Sequence, residues 1–228
     1  MFTIAIDGPS GAGKSTTAKM TARALGCSYL DTGAMYRAVA AGCMATGIGH
    51  DDPEGITTFC KEMNLDISTD PNNQYVMLNG ADVTTTIRLP EVTAWVSAVS
   101  TIPACREELV RRQQEVLQAG SFVAEGRDIT TVVAPNAEVR ILLTADPEVR
   151  MARRGAELDG ALDLATLQDQ ILRRDNDDSA LVNFCVAADG VVTIDSTLLT
   201  LAEVVAQVLL LADRAGIHPR VDLDEGER

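Results

Sequence analysis

The residues best suited to chemistry stand near the start of the chain, in the segment GPSGAGKS from Gly8 to Ser15. This segment fits the phosphate-loop pattern GxxxxGK followed by Ser or Thr, in which glycines let backbone N–H groups turn toward phosphate oxygens. The pattern predicts that Lys14 contacts the β- and γ-phosphates of a nucleotide and that the Ser15 hydroxyl is a ligand for Mg²⁺. The alternative is a glycine-rich turn that enters a helix and exposes a lysine.

The residues on both sides of the loop predict the elements that must hold it. Thr3 to Ile6 is a short apolar run with β-branched residues, which is typical of a buried parallel strand. Thr16 to Leu25 carries apolar or small residues at helical spacing, and Gly26 follows as a helix stop. This order lets the helix N-terminus add its partial positive charge to the site. We therefore interpret the segment as a nucleotide-binding loop.

Arginines outside the loop are the next candidates, because the chain has a net charge of −14 and a phosphate site must concentrate positive charge locally. Phosphoryl transfer needs alignment and positive charge more than covalent help. Arg127 stands out because it directly follows Gly126 at the end of a predicted buried strand. A solvated surface side chain is the ordinary alternative for the other arginines near predicted element ends. These are Arg37, Arg88, Arg106, Arg150, Arg153, Arg154, Arg173 and Arg174.

Carboxylates at the predicted strand ends are candidates to orient Mg²⁺ or its waters. Glu125 ends the strand that leads to Arg127, and Asp7, directly before the loop, is suited to the same role. The alternative for Glu125 is a helix cap or an ion-pair partner. We predict metal ligation by Ser15 and, through water, by Glu125.

The rest of the chain alternates predicted strands with predicted helices. Besides the first strand, we expect strands near residues 28–30, 122–124, 139–145 and 191–195. Between residues 64 and 86, three short alternating runs with turns at Asp70–Asn73 and Asn79–Gly80 predict an antiparallel insert. The expected fold class is α/β, with a five-stranded parallel sheet flanked by helices and a small three-stranded insert. Ligands in such sheets bind beyond the carboxyl ends of the strands.

Cysteine usage and hydropathy indicate the environment. The five cysteines are odd in number, widely spaced and without a CxxC pair, so we expect reduced core thiols rather than disulfides or a zinc site. No apolar run reaches transmembrane length, and the N-terminus begins as a strand rather than as a signal sequence. We expect a cytoplasmic protein with no membrane association, and the acidic charge weighs against a nucleic-acid partner.

Absent motifs narrow the class of phosphate-loop protein. The chain has no guanine-reading NKxD stretch, which a switch GTPase would need, and no signature of an ABC-type or helicase-type ATPase. Its small size, the insert and the arginine-rich segment after the fourth strand favour a small-molecule kinase with two mobile lobes. A kinase of another small acceptor, such as UMP or shikimate, stays open, as does a nucleotide-gated binding protein that uses the loop as a switch.

Four motifs in order, IDGPSGAGKS, LDTGAMYR, EGRDITTVV and RRDNDDS, resemble those of the bacterial cytidylate kinases, a branch of the nucleoside monophosphate kinase family. The resemblance covers residues 3 to 212. It implies a P-loop kinase with a short lid, a monomer that transfers the γ-phosphoryl group of Mg·ATP to CMP or dCMP. It also implies one kinase domain over residues 1–217, with its core at 1–62, 87–150 and 181–217. An acceptor-binding insert at 63–86, a lid at 151–180 and an acidic tail at 218–228 complete this layout.

The resemblance also assigns residues to each ligand. The ATP set comprises Gly8, Pro9, Ser10, Gly11, Ala12, Gly13, Lys14, Ser15, Thr16 and Arg153. The acceptor set comprises Thr32, Arg37, Ser97, Arg106, Arg127, Asp128, Arg174 and Asp178. Within it, Ser97, Arg106 and Asp128 would read cytosine, whereas Arg174 and Asp178 would meet phosphate and sugar. The residues implied to be catalytic, which would stabilise the transferring group, are Lys14, Arg37, Arg127 and Arg174.

Three places depart from the family pattern. Thr130 stands where glycine usually follows GRDI, and Leu181 stands where a further arginine usually contacts the acceptor. The run VNFCVAAD at residues 182–189 replaces the usual Pro-Leu run. These departures leave the preference between CMP and dCMP open.

Overall fold

A computed structural model of the chain describes residues 1–157 and 186–219. In chain order, the elements are β1 (Thr3–Asp7), α1 (Lys14–Leu25), β2 (Ser28–Asp31), α2 (Thr32–Thr46), α3 (Pro53–Glu62), β3 (Leu65–Ile67), β4 (Val76–Leu78), β5 (Ala81–Asp82), α4 (Pro90–Ser100), α5 (Pro103–Leu117), β6 (Phe122–Gly126), β7 (Val139–Thr144), α6 (Pro147–Glu157), β8 (Val192–Asp195) and α7 (Leu201–Arg214). A 3₁₀ turn at Thr86–Arg88 precedes α4, and a π-helical turn at Ile129–Val133 follows β6. The sequence did not predict the π-helical turn.

The central sheet is parallel, with five strands in the order β2-β6-β1-β7-β8. Strand β1 lies in the middle because it pairs with β6 on one side and with β7 on the other. The register aligns Asp7 with Gly126 and Asp31 with Glu125, so these three strands end at the same edge of the sheet. The predicted α/β fold is confirmed, and this carboxyl edge is where such sheets bind ligands.

Side chains of the central strands alternate between two hydrophobic clusters, one on each face of the sheet. In β1, Ala5 packs in the cluster that includes residues of α2, α3, α4 and α5. Ile4 and Ile6 pack in the cluster that includes residues of α1 and α7. Because both faces are covered, the strand is a continuous apolar run rather than an alternation of apolar and polar residues.

The three short runs between residues 64 and 86 form an antiparallel sheet in the order β3-β4-β5, as predicted. The strands are shorter than the runs suggested, and β5 has only two residues. At the turn, Asn79 has φ 50° and Gly80 has φ 83°, which is the geometry that Asn-Gly favours between hairpin strands. This sheet packs on α2, where a Cβ at Gly42 would overlap Phe59 and contact Leu78.

Parts of the predicted lid and tail lie outside the described residues. Helix α6 overlaps the start of the predicted lid, whereas Arg174, Asp178 and Leu181 lie outside the described residues. Of the predicted tail, only His218 and Pro219 are described. The domain boundaries therefore stay predictions. Within residues 1–157 and 186–219, no helix combines the length and the apolarity that crossing a membrane requires.

Candidate active site

The phosphate loop between β1 and α1 depends on two glycines that no other residue could replace without strain. Gly8 has φ 152°, and a Cβ there would overlap the Leu143 carbonyl oxygen, so the loop leaves β1 tight against β7. Gly13, directly before α1, has φ 89°, which residues with a side chain rarely adopt. The backbone therefore requires glycine at both positions of the motif.

The first turn of α1 keeps its positive end available to an anion. Gly13 caps the helix without a side-chain hydrogen bond, and no acidic residue stands in the first turn. The Nζ of Lys14 donates to the Pro9 carbonyl oxygen at 2.9 Å, which holds the ammonium group over the loop. Backbone amides and the ammonium group are therefore placed as an anion-binding loop requires, and the contact with phosphate stays a prediction.

One cavity of about 470 Å³ joins the phosphate loop to the ends of β2 and β6. Its described lining carries five cationic side chains and two carboxylates, in a chain with a net charge of −14. This local excess of positive charge suits phosphate groups. The lining residues are Ser10, Gly11, Gly13, Lys14, Ser15, Thr16, Asp31, Gly33, Arg37, Arg88, Thr93, Glu125, Gly126, Arg127 and Arg154.

Asp31 orients two of the arginines in this cavity. Its Oδ2 accepts from Arg37 Nη2 at 3.0 Å and from Arg88 Nη2 at 2.8 Å, and its Oδ1 accepts from the Ala34 N–H at 2.8 Å. Burial raises the pKa of Asp31, but the two guanidinium groups and these hydrogen bonds outweigh burial and hold that pKa well below its ordinary value. Among the described residues, the buried Arg37 Nε has no hydrogen-bond partner.

Glu125 connects the phosphate loop to the edge of the sheet. Its Oε1 accepts from the Ser15 hydroxyl at 2.6 Å and from the Tyr29 hydroxyl at 3.3 Å. Burial raises the pKa of Tyr29 well above its ordinary value, and the Asp31 and Glu125 carboxylates raise it further, so the phenol stays a donor. The structure therefore brings the two predicted magnesium ligands, Ser15 and Glu125, into contact. A hydroxyl and a carboxylate are hard oxygen ligands of the kind that Mg²⁺ prefers.

Asp7, the other candidate for the magnesium role, uses its carboxylate elsewhere. Its Oδ1 accepts from the Ile129 N–H at 2.8 Å, and its Oδ2 accepts from the N–H and hydroxyl of Thr130 at 2.9 and 2.6 Å. Asp7 is not among the described residues that line the cavity. It holds the turn after β6 instead of facing the phosphate loop.

Two of the three residues predicted to read cytosine lie together. On α5, Arg106 Nη2 donates to Asp128 Oδ2 at 2.5 Å, and Asp128 is buried. Ser97 lies on the preceding helix α4, where its carbonyl oxygen accepts from Thr101. Thr32, predicted on the acceptor side, donates its hydroxyl to the Glu125 carbonyl oxygen at 2.8 Å. Their contacts with a ligand stay predictions.

Helix α6 brings three arginines to the loop side of the sheet. Arg150 Nη1 donates to the Ser10 carbonyl oxygen at 3.0 Å, and Arg154 lines the cavity. Arg153, predicted to bind ATP, donates to the hydroxyl and carbonyl oxygens of Ser196 at 2.9 and 2.8 Å. Arg153 therefore lies against the segment that follows β8, and its role toward ATP stays a prediction.

Four side chains of the cavity were not assigned from the sequence: Asp31, Arg88, Thr93 and Arg154. Arg88 and Arg154 stand near predicted element ends, but nothing in the sequence distinguishes them from solvated arginines. Nothing in the sequence marks Thr93 as a binding residue, because threonines are common in helices. Conversely, some predicted loop residues shape the turn and are not among the described lining residues: Gly8, Pro9 and Ala12.

The amino-acid sequence is similar over most of its length to members of one protein family. The sequence model of the family described as Cytidylate kinase matches residues 4–214. A cytidylate kinase of Cutibacterium acnes is 47% identical over 210 residues, which cover 90% of this chain and 93% of that protein. One from Streptomyces avermitilis is 42% identical over 213 residues, 92% of each chain. A solved structure from Eubacterium ventriosum, 12% identical, has a TM-score of 0.50 over 93% of this chain and 98% of its own, which supports the fold alone.

Replacing the carboxylate of Asp31 tests the charge arrangement of the cavity. Asp31→Asn keeps the shape and the helix cap but removes the anion between two guanidinium groups, so we expect the free energy of unfolding to fall by about 3 kcal/mol at neutral pH. Because the pKa of Asp31 is lowered in the folded state, this difference is complete above about pH 5 and shrinks as the pH falls below about 4. Urea unfolding across this range measures it.

The matched control is Asp52→Asn, which changes an exposed helix cap of the same chemistry. We expect a small loss there, because an asparagine caps a helix about as well as an aspartate. A difference between wild type and Asp31→Asn that stays constant from neutral to acid pH would show that the arginines do not hold Asp31 ionised.

Proposed function

Because this chain belongs to the cytidylate kinase family, we propose that it transfers the γ-phosphoryl group of ATP to CMP and dCMP, forming ADP and the corresponding diphosphate. The observation that carries this function is that the phosphate loop and Arg37, Arg88 and Arg127 line one shared cavity. A donor nucleotide on the loop and an acceptor phosphate on these arginines would meet there.

The phosphate loop binds the donor. The backbone amides of the loop and of the first turn of α1 surround the ATP phosphates, and Lys14 exchanges the Pro9 carbonyl for β- and γ-phosphate oxygens. Arg153, held against Ser196 beside the loop, is assigned to ATP as well. A lysine that already lies over the loop needs only a small movement to reach the phosphates.

The acceptor phosphate binds the arginines that Asp31 orients. Each guanidinium group has five N–H donors, and the contacts with Asp31 use only some of those on Arg37 and Arg88. Because Asp31 already fixes these side chains, less entropy is lost when the ligand arrives. Thr32 and, from outside the described residues, Asp178 are assigned to the rest of the acceptor.

Transfer itself requires alignment and charge stabilisation. The attacking phosphate oxygen is already anionic at neutral pH, so no side chain has to act as a general base. Lys14, Arg37 and Arg127 stabilise the negative charge on the transferring group, together with Arg174 from outside the described residues. All three described groups line the same cavity.

Mg²⁺ is assigned to Ser15 as a direct ligand and to Glu125 through water. The two side-chain oxygens are 2.6 Å apart beside the phosphate loop, and Mg²⁺ is usually held by one or two carboxylates together with substrate phosphates and water. When bound, the ion neutralises charge on the ATP phosphates. The Tyr29 hydroxyl, which also contacts Glu125, keeps this carboxylate oriented.

Selectivity for cytosine is assigned to Ser97, Arg106 and Asp128. Cytosine offers its N4 amino group to a carboxylate and its N3 and O2 atoms to a guanidinium group, and Arg106 and Asp128 present these two groups side by side. Uracil carries O4 in place of the amino group, so its oxygen would face the carboxylate. A site built on such hydrogen bonds can discriminate by about 10⁴-fold.

We infer that the enzyme acts as a monomer in the cytoplasm, with small molecules as its partners. The acidic net charge disfavours binding to nucleic acid and to anionic membranes. Within the described residues, Cys43, Cys60 and Cys105 are free thiols, which suits a reducing compartment.

An acceptor panel tests the proposed function. ADP release from Mg·ATP is measured with CMP, dCMP, UMP, AMP, shikimate and no acceptor. We expect strong turnover with CMP and dCMP and weak turnover with the others, because only cytosine matches the Arg106–Asp128 pair. Equal turnover with UMP or shikimate, or ADP release that needs no acceptor, would contradict the proposal.

Removing the loop ammonium group tests the donor side. We expect Lys14→Met to lower kcat/KM by at least about 10²-fold with the fold intact, because a preorganised positive charge is lost from the transferring group. Steady-state kinetics and circular dichroism measure the two effects. Lys61→Met, which removes an exposed charge at the end of α3, is the control. Near-normal turnover in Lys14→Met would refute the assignment.

Replacing Asp128 tests the base-reading residues. Asparagine can accept from cytosine N4 or donate to uracil O4, so we expect Asp128→Asn to lower the ratio of kcat/KM for CMP to that for UMP by about tenfold or more. The KM for ATP should stay unchanged. Asp51→Asn, which changes a surface aspartate with 85% of its side chain exposed, is the control. An unchanged ratio in Asp128→Asn would remove Asp128 from the set.

A further inference from the structure

The buried carboxylate of Asp7 has no part in the phosphoryl transfer proposed above. Asp7 is 3% exposed, lies at the end of β1 and pairs in register with Gly126 at the end of β6. It is also the residue that directly precedes the phosphate loop. A single carboxylate therefore stands between the loop assigned to ATP and the turn that directly follows Arg127 and Asp128.

The turn after β6 is a single π-helical turn, a form that is rare and often found at functional sites. The Asp128 carbonyl oxygen accepts from the N–H groups of Val132 and Val133 at 2.8 and 3.1 Å. The first amides of the turn, those of Ile129 and Thr130, donate to the two carboxylate oxygens of Asp7. Asp7 therefore caps this turn from the neighbouring strand.

Thr130 completes the cap with its side chain. Its hydroxyl donates to Asp7 Oδ2 at 2.6 Å, the shortest of the three contacts with this carboxylate. Its carbonyl oxygen accepts from Arg140 Nη1 at 3.3 Å, and Arg140 Nη2 donates to the Asp189 carbonyl oxygen at 2.8 Å. The amide, hydroxyl and carbonyl groups of Thr130 are thus all hydrogen-bonded, and the turn is fixed on two sides.

We propose that Asp7 and Thr130 are positioning residues that fix the placement of Asp128 and Arg127, and that the Thr130 hydroxyl thereby contributes to discrimination between CMP and UMP. This inference rests on the proposed function. Asp128 is joined by one peptide bond to Ile129, whose amide Asp7 holds. A small displacement of this turn changes hydrogen-bond distances and angles at the base, on which hydrogen-bond strength depends steeply.

The Thr130 hydroxyl stabilises the ionised form of the buried Asp7 carboxylate. Burial raises the pKa of Asp7, and the hydrogen bonds from the Thr130 hydroxyl and from the Thr130 and Ile129 amides oppose that rise. Without the hydroxyl, one oxygen of a buried carboxylate keeps a single amide donor, which leaves the carboxylate under-satisfied. A glycine, which is the usual residue at this position in the family that the chain resembles, would lack this donor.

Variants of neighbouring threonines separate positioning from a general loss of stability. Thr130→Val keeps the side-chain shape without the hydroxyl, and Thr130→Ser keeps the hydroxyl. Thr131→Val makes the same chemical change at the next residue, which is exposed. The measurement is kcat and KM for CMP, UMP and ATP at a temperature where all four proteins are folded.

We expect Thr130→Val to lower the CMP-to-UMP ratio of kcat/KM by about fivefold, the effect of one hydrogen bond. The KM for CMP should rise and the KM for ATP should stay within about twofold. Thr130→Ser and Thr131→Val should keep the wild-type ratio within about twofold. Equal losses for CMP and UMP in Thr130→Val, or an unchanged ratio with a lower Tm, would overturn the inference.

Amide hydrogen exchange of the ligand-free proteins examines the same turn without any acceptor. We expect the Ile129 and Thr130 amides to exchange faster in Thr130→Val than in wild type or Thr131→Val. Unchanged protection of these amides would overturn the inference whichever acceptor the enzyme uses. The proposed function is decided separately, by the acceptor panel on the wild-type protein.

Discussion

The parallel pairing of β2, β6 and β1 is the constraint on which the active site depends. Because these strands run in the same direction and in register, Asp7 lies beside Gly126 and Asp31 lies beside Glu125 at one edge of the sheet. The phosphate loop, the start of α2 and the turn after β6 all leave the sheet at that edge. Burial on both faces fixes the register, since a slip of one residue would exchange the two sets of buried side chains.

Buried carboxylates hold the arginine side chains of the site in place, although the ligands assigned to the site are anions. Asp31 lies between the guanidinium groups of Arg37 and Arg88 and offsets their mutual repulsion, so both cations are held at the cavity before a phosphate binds. Asp128 likewise accepts a hydrogen bond from one guanidinium group, that of Arg106 on α5. A chain with a net charge of −14 can therefore keep a local excess of positive charge where phosphates would bind.

Local chemistry explains why the phosphate loop could be recognised in the sequence. The need for glycine at Gly8 and Gly13, and the helix that follows, are properties of one short segment and its backbone. The predicted strands and helices were similarly local, because a buried parallel strand and an amphipathic helix each leave a pattern of apolar residues. The π-helical turn after β6 leaves no such pattern, since its first amides are satisfied by Asp7, far away in the chain.

The sequence by itself determined the phosphate loop, the α/β fold class and the candidates Ser15 and Glu125, because each follows from short motifs or from residues at strand ends. Only the tertiary structure decided that Asp7 caps a turn instead of facing the phosphate loop, and that Arg88 and Arg154 line the cavity whereas Arg153 contacts Ser196. The physical reason is the same in each case. A side chain's partner depends on which distant segments the sheet brings to one edge. The order of the strands in the sheet, which decides this, cannot be read from a single amino-acid sequence.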